Sequence, residues 1–262
     1  MSPDSMWHRW QLTAVLAALS RPLQTPPSPA AATDAPPASA TDREGFPVLL
    51  GGAPARQVDE TTCGSAVLVM LAATGDPVLA EWLETGRAPQ GTVPPEIPHD
   101  SLAGLDAAGR FAAAQRQVKH RTGHRALGPL PWPASLGTPP WTAAREARFP
   151  GVRYRVRPFD DAADDARTVL ALVVASTHRG HPVPLFTGGD LRGGLAHAVP
   201  RHVVLAVPPP PGAGEPEVLN LYEPGRGEVY RVPVSALLGR TTPHPALGGW
   251  THVTVALLPV PA

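Results

Sequence analysis

The sequence predicts an α+β fold, with helices concentrated in the first half of the chain and strands in the second. Between Cys63 and Arg148 the apolar residues recur mainly at helical spacing. From Tyr154 onward, short runs rich in Val, Leu and Tyr are separated by Gly- and Pro-containing turns. Segregation of helices from strands in this way is the pattern of α+β rather than of alternating α/β proteins.

Composition sets the bounds on this reading. A chain of 262 residues with 43% hydrophobic residues can bury a substantial core. Its 35 prolines cluster, so they mark loops and linkers. Twenty-two basic and 22 acidic side chains balance, so no broad basic face announces nucleic acid, and local patches remain open. The single cysteine excludes an intramolecular disulfide and a Cys-rich zinc site.

At the N-terminus, Trp10, Leu12, Val15, Leu16 and Leu19 fall roughly on one helical face. The apolar run is far too short to span a bilayer. It stops at Ser20-Arg21-Pro22 without a small-x-small cleavage site, so residues 1–21 read as a short amphipathic helix in preference to a signal peptide. A cytoplasmic location is accordingly expected in preference to secretion. Residues 22–45, with six prolines between Pro22 and Pro37, read as a disordered linker. The folded domain is expected over 46–262.

Within it, Phe46 to Leu50 reads as a strand or an extended lead-in. Arg56 to Thr62 is a polar loop, and a buried helix runs from Cys63 to Gly75, where the glycine is expected at the C′ position. Asp76-Pro77 breaks the chain. Further helices are expected over Ser101 to about His120, Trp141 to Arg148 and Asp164 to Arg179, with a Pro-rich loop from Pro129 to Pro140. Strands are expected at Tyr154–Phe159, His181–Phe186, His202–Val207, Glu217–Tyr222, Gly227–Val232 and from Thr251 to Leu258. A turn at Glu223-Pro-Gly-Arg and a helical turn over Val234–Leu238 complete the reading.

Three pieces of this text fit one chemistry. Gln57 precedes Cys63 by six residues, and Gly64 follows. A thiol attacks as its thiolate, and a helix N-terminus favours that form. Gly64 would let a substrate backbone approach. The Gln57 side chain and the Cys63 backbone could each offer an N–H to a developing oxyanion. His202 heads a Val-rich strand, where an imidazole can reach a cleft and exchange the thiol proton. Glu223 or Asn220 could hold that ring in orientation. Three positions apart on an extended strand, those two point to opposite faces.

The stretch Gln57-Val-Asp-Glu-Thr-Thr-Cys63-Gly-Ser-Ala resembles the nucleophile motif of papain-like cysteine peptidases, particularly the C39-like group. The resemblance continues in order through Gly180-His-Pro-Val-Pro-Leu, His202-Val-Val, Leu221-Tyr-Glu223-Pro-Gly and Val232-Pro-Val-Ser-Ala-Leu, covering about residues 50–260. It implies a papain-like fold: N-terminal helices bearing the nucleophile, packed on an antiparallel sheet bearing the histidine. It also implies Gln57 in the oxyanion hole, Cys63 as nucleophile, His202 as base and Glu223, in place of the family's Asp, as orienter. The implied activity is amide hydrolysis of a protein or peptide substrate through an acyl-enzyme, without cofactor. The same machinery supports transglutaminase or deamidase chemistry, and a catalytically idle domain of this fold would bind peptides.

Each residue also has a plain structural reading: Cys63 as core filler, Gln57 as a loop residue, His202 as a buried structural histidine, Glu223 as a turn residue. Their joint order and spacing favour the site. His197 is the reserve base. His120/His124 and His178/His181 have helical spacing but lack the His-Glu-x-x-His pattern of zinc peptidases, so no metal is expected.

Overall fold

A computed structural model describes residues 43–87, 91–99, 104–124, 126–188, 201–212 and 214–262. The expected helix of 1–21, almost all of the linker and the reserve base His197 lie outside the described residues. The fold is α+β. Seven strands form one sheet in the order β1-β8-β7-β6-β5-β9-β4, with every neighbouring pair antiparallel. They are β1 (Gly45–Pro47), β4 (Val152–Pro158), β5 (Val183–Gly188), β6 (His202–Val207), β7 (Val218–Glu223), β8 (Glu228–Pro233) and β9 (His252–Pro261). A small hairpin of β2 (Leu49–Leu50) and β3 (Ala53–Pro54) lies outside this sheet. Gly45, expected as the last linker residue, is already in β1 opposite Tyr230.

The helices are α1 (Cys63–Gly75), α2 (Pro77–Thr85), α3 (Ala107–Gly123), α4 (Pro140–Glu146) and α5 (Ala166–His178). Alternate side chains of the sheet feed two cores. Val203, Leu205, Tyr222, Val255 and Leu257 pack with α1, α2 and α3 on one face. Val204, Ala206, Leu219, Leu221 and Val253 pack with α5 on the other. Helix α1 is apolar nearly all round because it is enclosed nearly all round, by β5 and β6 on one side and by α2, α3 and α4 on the others. Among the described residues, no single helix is long and apolar enough to cross a membrane.

Two local expectations fail and a third is incomplete, each for an identifiable reason. Gly75 is the last residue of α1 rather than a left-handed C′ cap, since the following residue, Asp76, has extended φ of −130°. Its lack of a side chain serves packing: a Cβ there would come within 2.5 Å of the Pro150 ring and 2.8 Å of Phe149. Asp76-Pro77 does break α1, but it also starts α2. The Asp76 carboxylate accepts from the N–H groups of Val78 and Leu79 at 3.0 and 3.2 Å, and Pro77 takes the first helical position. Helix α3 begins at Ala107, later than expected, because Asp106 caps it by accepting from Gly109 N–H at 2.7 Å.

Candidate active site at the N-terminus of α1

The site is assembled by two adjacent strand ends and one helix end. His202 opens β6 and Glu223 closes β7, so antiparallel pairing brings both to the same end of the sheet. Helix α1 packs on β6 and presents its first residue, Cys63, there. Cys63 is 2% exposed and its Sγ lies 3.9 Å from the carbonyl oxygen of Arg201, the residue before His202.

The three side chains form a chain of contacts. His202 Nε2 lies 2.7 Å from Glu223 Oε1, and the Cys63 side chain is close enough to the same ring to favour its charged form. With Nε2 occupied by Glu223, Nδ1 is the nitrogen left for the sulfur. Burial works against the charged imidazole, but the contacts with Cys63 and Glu223 outweigh it and push His202 up to about 9. Burial likewise works against the Glu223 carboxylate. The His202 ring and the N–H groups of Gly225 and Arg226 overcome this and hold Glu223 below its ordinary value. Those two N–H groups lie 2.8 Å from Oε1 and Oε2 respectively.

This geometry separates the two proposed orienters. Asn220 sits opposite Val207, five residues along β6 from His202 and thus roughly 17 Å away along the strand. Glu223 alone meets the ring. A glutamate fits where the resembled family has aspartate because the tight turn after β7 closes around its carboxylate. A Cβ on Gly225 would come within 2.9 Å of Oε1, so glycine there keeps the space open.

Gln57 is brought to the same region by its backbone. Its N–H donates to Pro224 O at 2.8 Å, one residue beyond Glu223. The loop is clamped from the other side by the buried Gln115 of α3, which accepts from Val58 N–H at 3.0 Å and donates to Arg56 O at 2.9 Å. Gln57 Nε2 donates to Asp59 O at 2.9 Å, using one of its two hydrogens. Its Oε1 is shut off from solvent and has no hydrogen-bond partner among the described residues. Asp59 then shapes the approach to Cys63: its carboxylate accepts from Thr61 N–H and Oγ1 at 2.7 and 2.6 Å, and its own N–H donates to Thr62 Oγ1 at 2.9 Å. The Thr61 hydroxyl is the largest of the influences that lower Asp59 from its ordinary value. Thr62 stands at the N-cap without a side-chain cap bond, so its hydroxyl does not consume the first-turn N–H groups of Cys63, Gly64 and Ser65.

Gly64 has a different role from the one expected. The space above it is filled by Thr138, whose Cβ and Oγ1 would each lie 2.7 Å from a Cβ on Gly64. The glycine admits the Pro-rich segment before α4, and not a substrate backbone, at that point.

Several contributors were not legible in advance. Gly248, in the loop before β9, has φ +68° and lies flat against the His202 ring. A Cβ there would come within 2.3 Å of Cδ2 and 2.5 Å of Nε2. The adjacent Gly248-Gly249 pair was the available signal. Gln115 was hidden inside an Ala-rich helix. A second imidazole–carboxylate pair, His252 with Asp161, lies at the same end of the sheet. His252 Nδ1 is 3.1 Å from both carboxylate oxygens, and Val253 N–H donates to Oδ2 at 3.1 Å. Burial drives Asp161 upward, opposed by these bonds. It braces the start of β9. Among the described residues, no three His, Cys, Asp or Glu side chains converge to hold a metal ion. His120 and His124 stack on each other at 5.9 Å between centroids, on the solvent side of α3.

No family model, curated protein or solved structure matches this chain.

Proposed function

We propose that this protein is a papain-like thiol hydrolase of C39-like type that cleaves an amide bond in a protein or peptide. One observation carries the reading: Cys63 and Glu223 contact the same buried imidazole, and together they favour its protonated form. An ordinary core cysteine needs neither a charged ring beside it nor a carboxylate fixed by two turn amides behind that ring.

The reaction follows from those contacts. The Cys63 thiolate, beside the His202 imidazolium, attacks the substrate carbonyl carbon and forms the C–S bond. The oxygen takes up the displaced electron pair, and the Cys63 backbone N–H with the second N–H of Gln57 Nε2 receives it. His202 gives its proton to the departing nitrogen as the C–N bond breaks, leaving a thioester and a free amine. His202, now neutral, takes a proton from water as the water oxygen attacks the thioester. Collapse releases the carboxylic acid and returns the thiolate–imidazolium pair. Glu223 keeps Nε2 protonated throughout, so Nδ1 is the nitrogen that exchanges protons with sulfur, substrate and water.

The test is turnover of a mixed fluorogenic peptide library by the wild-type chain and by Cys63→Ala, with circular dichroism of both. Cleavage by wild type that vanishes in a folded Cys63→Ala variant supports the proposal. Equal cleavage by both refutes it.

A further inference from the structure

A cleft of about 360 Å³ lies beside the proposed active site, between one face of α3 and the Pro-rich segment at 131–137. Its walls carry Arg116, Lys119, His120 and His124 opposite Trp132, and among the described residues no Asp or Glu lines it. We propose that this cleft binds an acidic peptide segment and thereby selects substrates with carboxylate side chains near the scissile bond. This rests on the thiol-hydrolase reading for its meaning, though not for its test.

Four basic side chains in one cleft are not an accident of a basic chain, because the protein's formal charge is zero. They arise from helix geometry. Residues 116, 120 and 124 follow one another at i, i+4, and 119 and 123 flank them on the same face. Gly123 leaves the floor open between Lys119 and His124. Arg116 is exposed and has no hydrogen-bond or ion-pair partner among the described residues, so its guanidinium can meet a carboxylate with two parallel bonds. Lys119 is partly committed, through Thr61 and through Asp59 at 3.9 Å. The opposite wall is apolar, with Trp132 held edge-on against Trp141 at 5.3 Å. Basic groups on one wall and an indole on the other suit a carboxylate carried on a short hydrocarbon stem.

The cleft is also placed to act on the reaction. Lys119 bonds the Thr61 hydroxyl, and a Cβ on Gly137 would lie 3.8 Å from Thr61 O. Thr61 precedes Cys63 by two residues, a span of at most about 7 Å. A peptide lying over Cys63 therefore reaches this cleft within two or three residues. The next residue of the Pro-rich wall, Thr138, is the one seated on Gly64.

The experiment uses the full chain carrying Cys63→Ala, so binding is read without turnover. Acetyl-triglutamate amide and acetyl-triglutamine amide are titrated at low salt, followed by tryptophan fluorescence and calorimetry. Triglutamate should bind at least about tenfold more tightly than triglutamine, and Arg116→Gln with His120→Gln should remove that preference. Both substituted side chains are exposed, and circular dichroism checks the fold. Equal affinity for the two peptides, or a preference that survives the double substitution, overturns the proposal. So does a response to inorganic phosphate with none to triglutamate. Reactivity of Cys63 in the otherwise wild-type chain reads the catalytic proposal separately, so either can fail alone.

Discussion

Replacing Glu223 by Gln removes one negative charge and almost no volume. In the wild-type protein the carboxylate accepts from His202 Nε2 at 2.7 Å and from two turn amides at 2.8 Å. Glutamine has a single acceptor oxygen. If that oxygen takes the Oε2 place and stays with Arg226 N–H, the amide NH₂ takes the Oε1 place, where it faces Gly225 N–H and His202 Nε2 and demands the ring's lone pair, which forces the neutral ring into the tautomer with hydrogen on Nδ1. That ring cannot accept the thiol proton. The imidazolium also loses one of the two groups that support it. His202 stands at about 9 against an ordinary 6.5, a difference worth about 3 kcal/mol between its two protonation states. With Glu223 as one of two supporting partners, the substitution should lower the His202 value by about one unit or more, or about 1.4 kcal/mol. Wrong-tautomer substitutions of an orienting carboxylate elsewhere reduce turnover by about 10⁴-fold. A loss of about 10² to 10⁴ in the acylation rate is expected here. The assay is NMR titration of the His202 Cε1–H resonance in both proteins, with single-turnover cleavage of a library-derived peptide. A His202 midpoint that stays near 9 in Glu223→Gln would refute the electrostatic reasoning. So would acylation within a factor of two of wild type.

Other outcomes follow from the same contacts. Gly248→Ala places a Cβ inside the His202 ring contact at a φ of +68°. It should cost about 1–3 kcal/mol of stability and at least tenfold in acylation, and displacement of the His202 resonance would distinguish ring movement from simple loss of fold. Because the folded value of His202 is raised, its stabilising contribution is complete below pH about 6.5 and is lost as pH rises through about 9. Urea unfolding at pH 6 and pH 10 should therefore show greater stability at the lower pH, and His202→Ala should shrink that difference. Gln115→Ala leaves Val58 N–H and Arg56 O without their partners. A destabilisation of about 2 kcal/mol is expected, with turnover falling further as Gln57 loses its clamp; denaturant midpoints and single-turnover rates would check both.

The helix bearing Cys63 was legible because an unbroken apolar run followed a polar loop, and the structure starts α1 at Cys63 itself. The strands bearing His202 and Glu223 were legible for similar reasons: short apolar runs, Val-rich in β6 and built on Val, Leu and Tyr in β7, bounded by Pro and Gly. Antiparallel pairing of β6 with β7 then does what one-dimensional spacing cannot, choosing Glu223 over Asn220 by setting Asn220 against Val207. Contacts made by absent side chains were invisible. Nothing in the text distinguishes a Gly64 that admits substrate from one that admits Thr138, or marks Gly248 as the plate under an imidazole. Helix α2 is hidden in the sequence because Asp76-Pro77 reads first as a breaker. The same dipeptide is also an N-cap followed by the best first-turn residue, and here it plays both parts.

In the proposed mechanism, His202 makes Cys63 a nucleophile. Its most direct test is the rate at which iodoacetamide alkylates Cys63 at pH 6, in the wild-type chain and in His202→Ala, read by intact mass. Alkylation of the wild type should be at least about 100-fold faster, on the scale of the gain a positioned acid–base group supplies. Equal rates in the two proteins, or a wild-type Cys63 that does not react at pH 6, would contradict it.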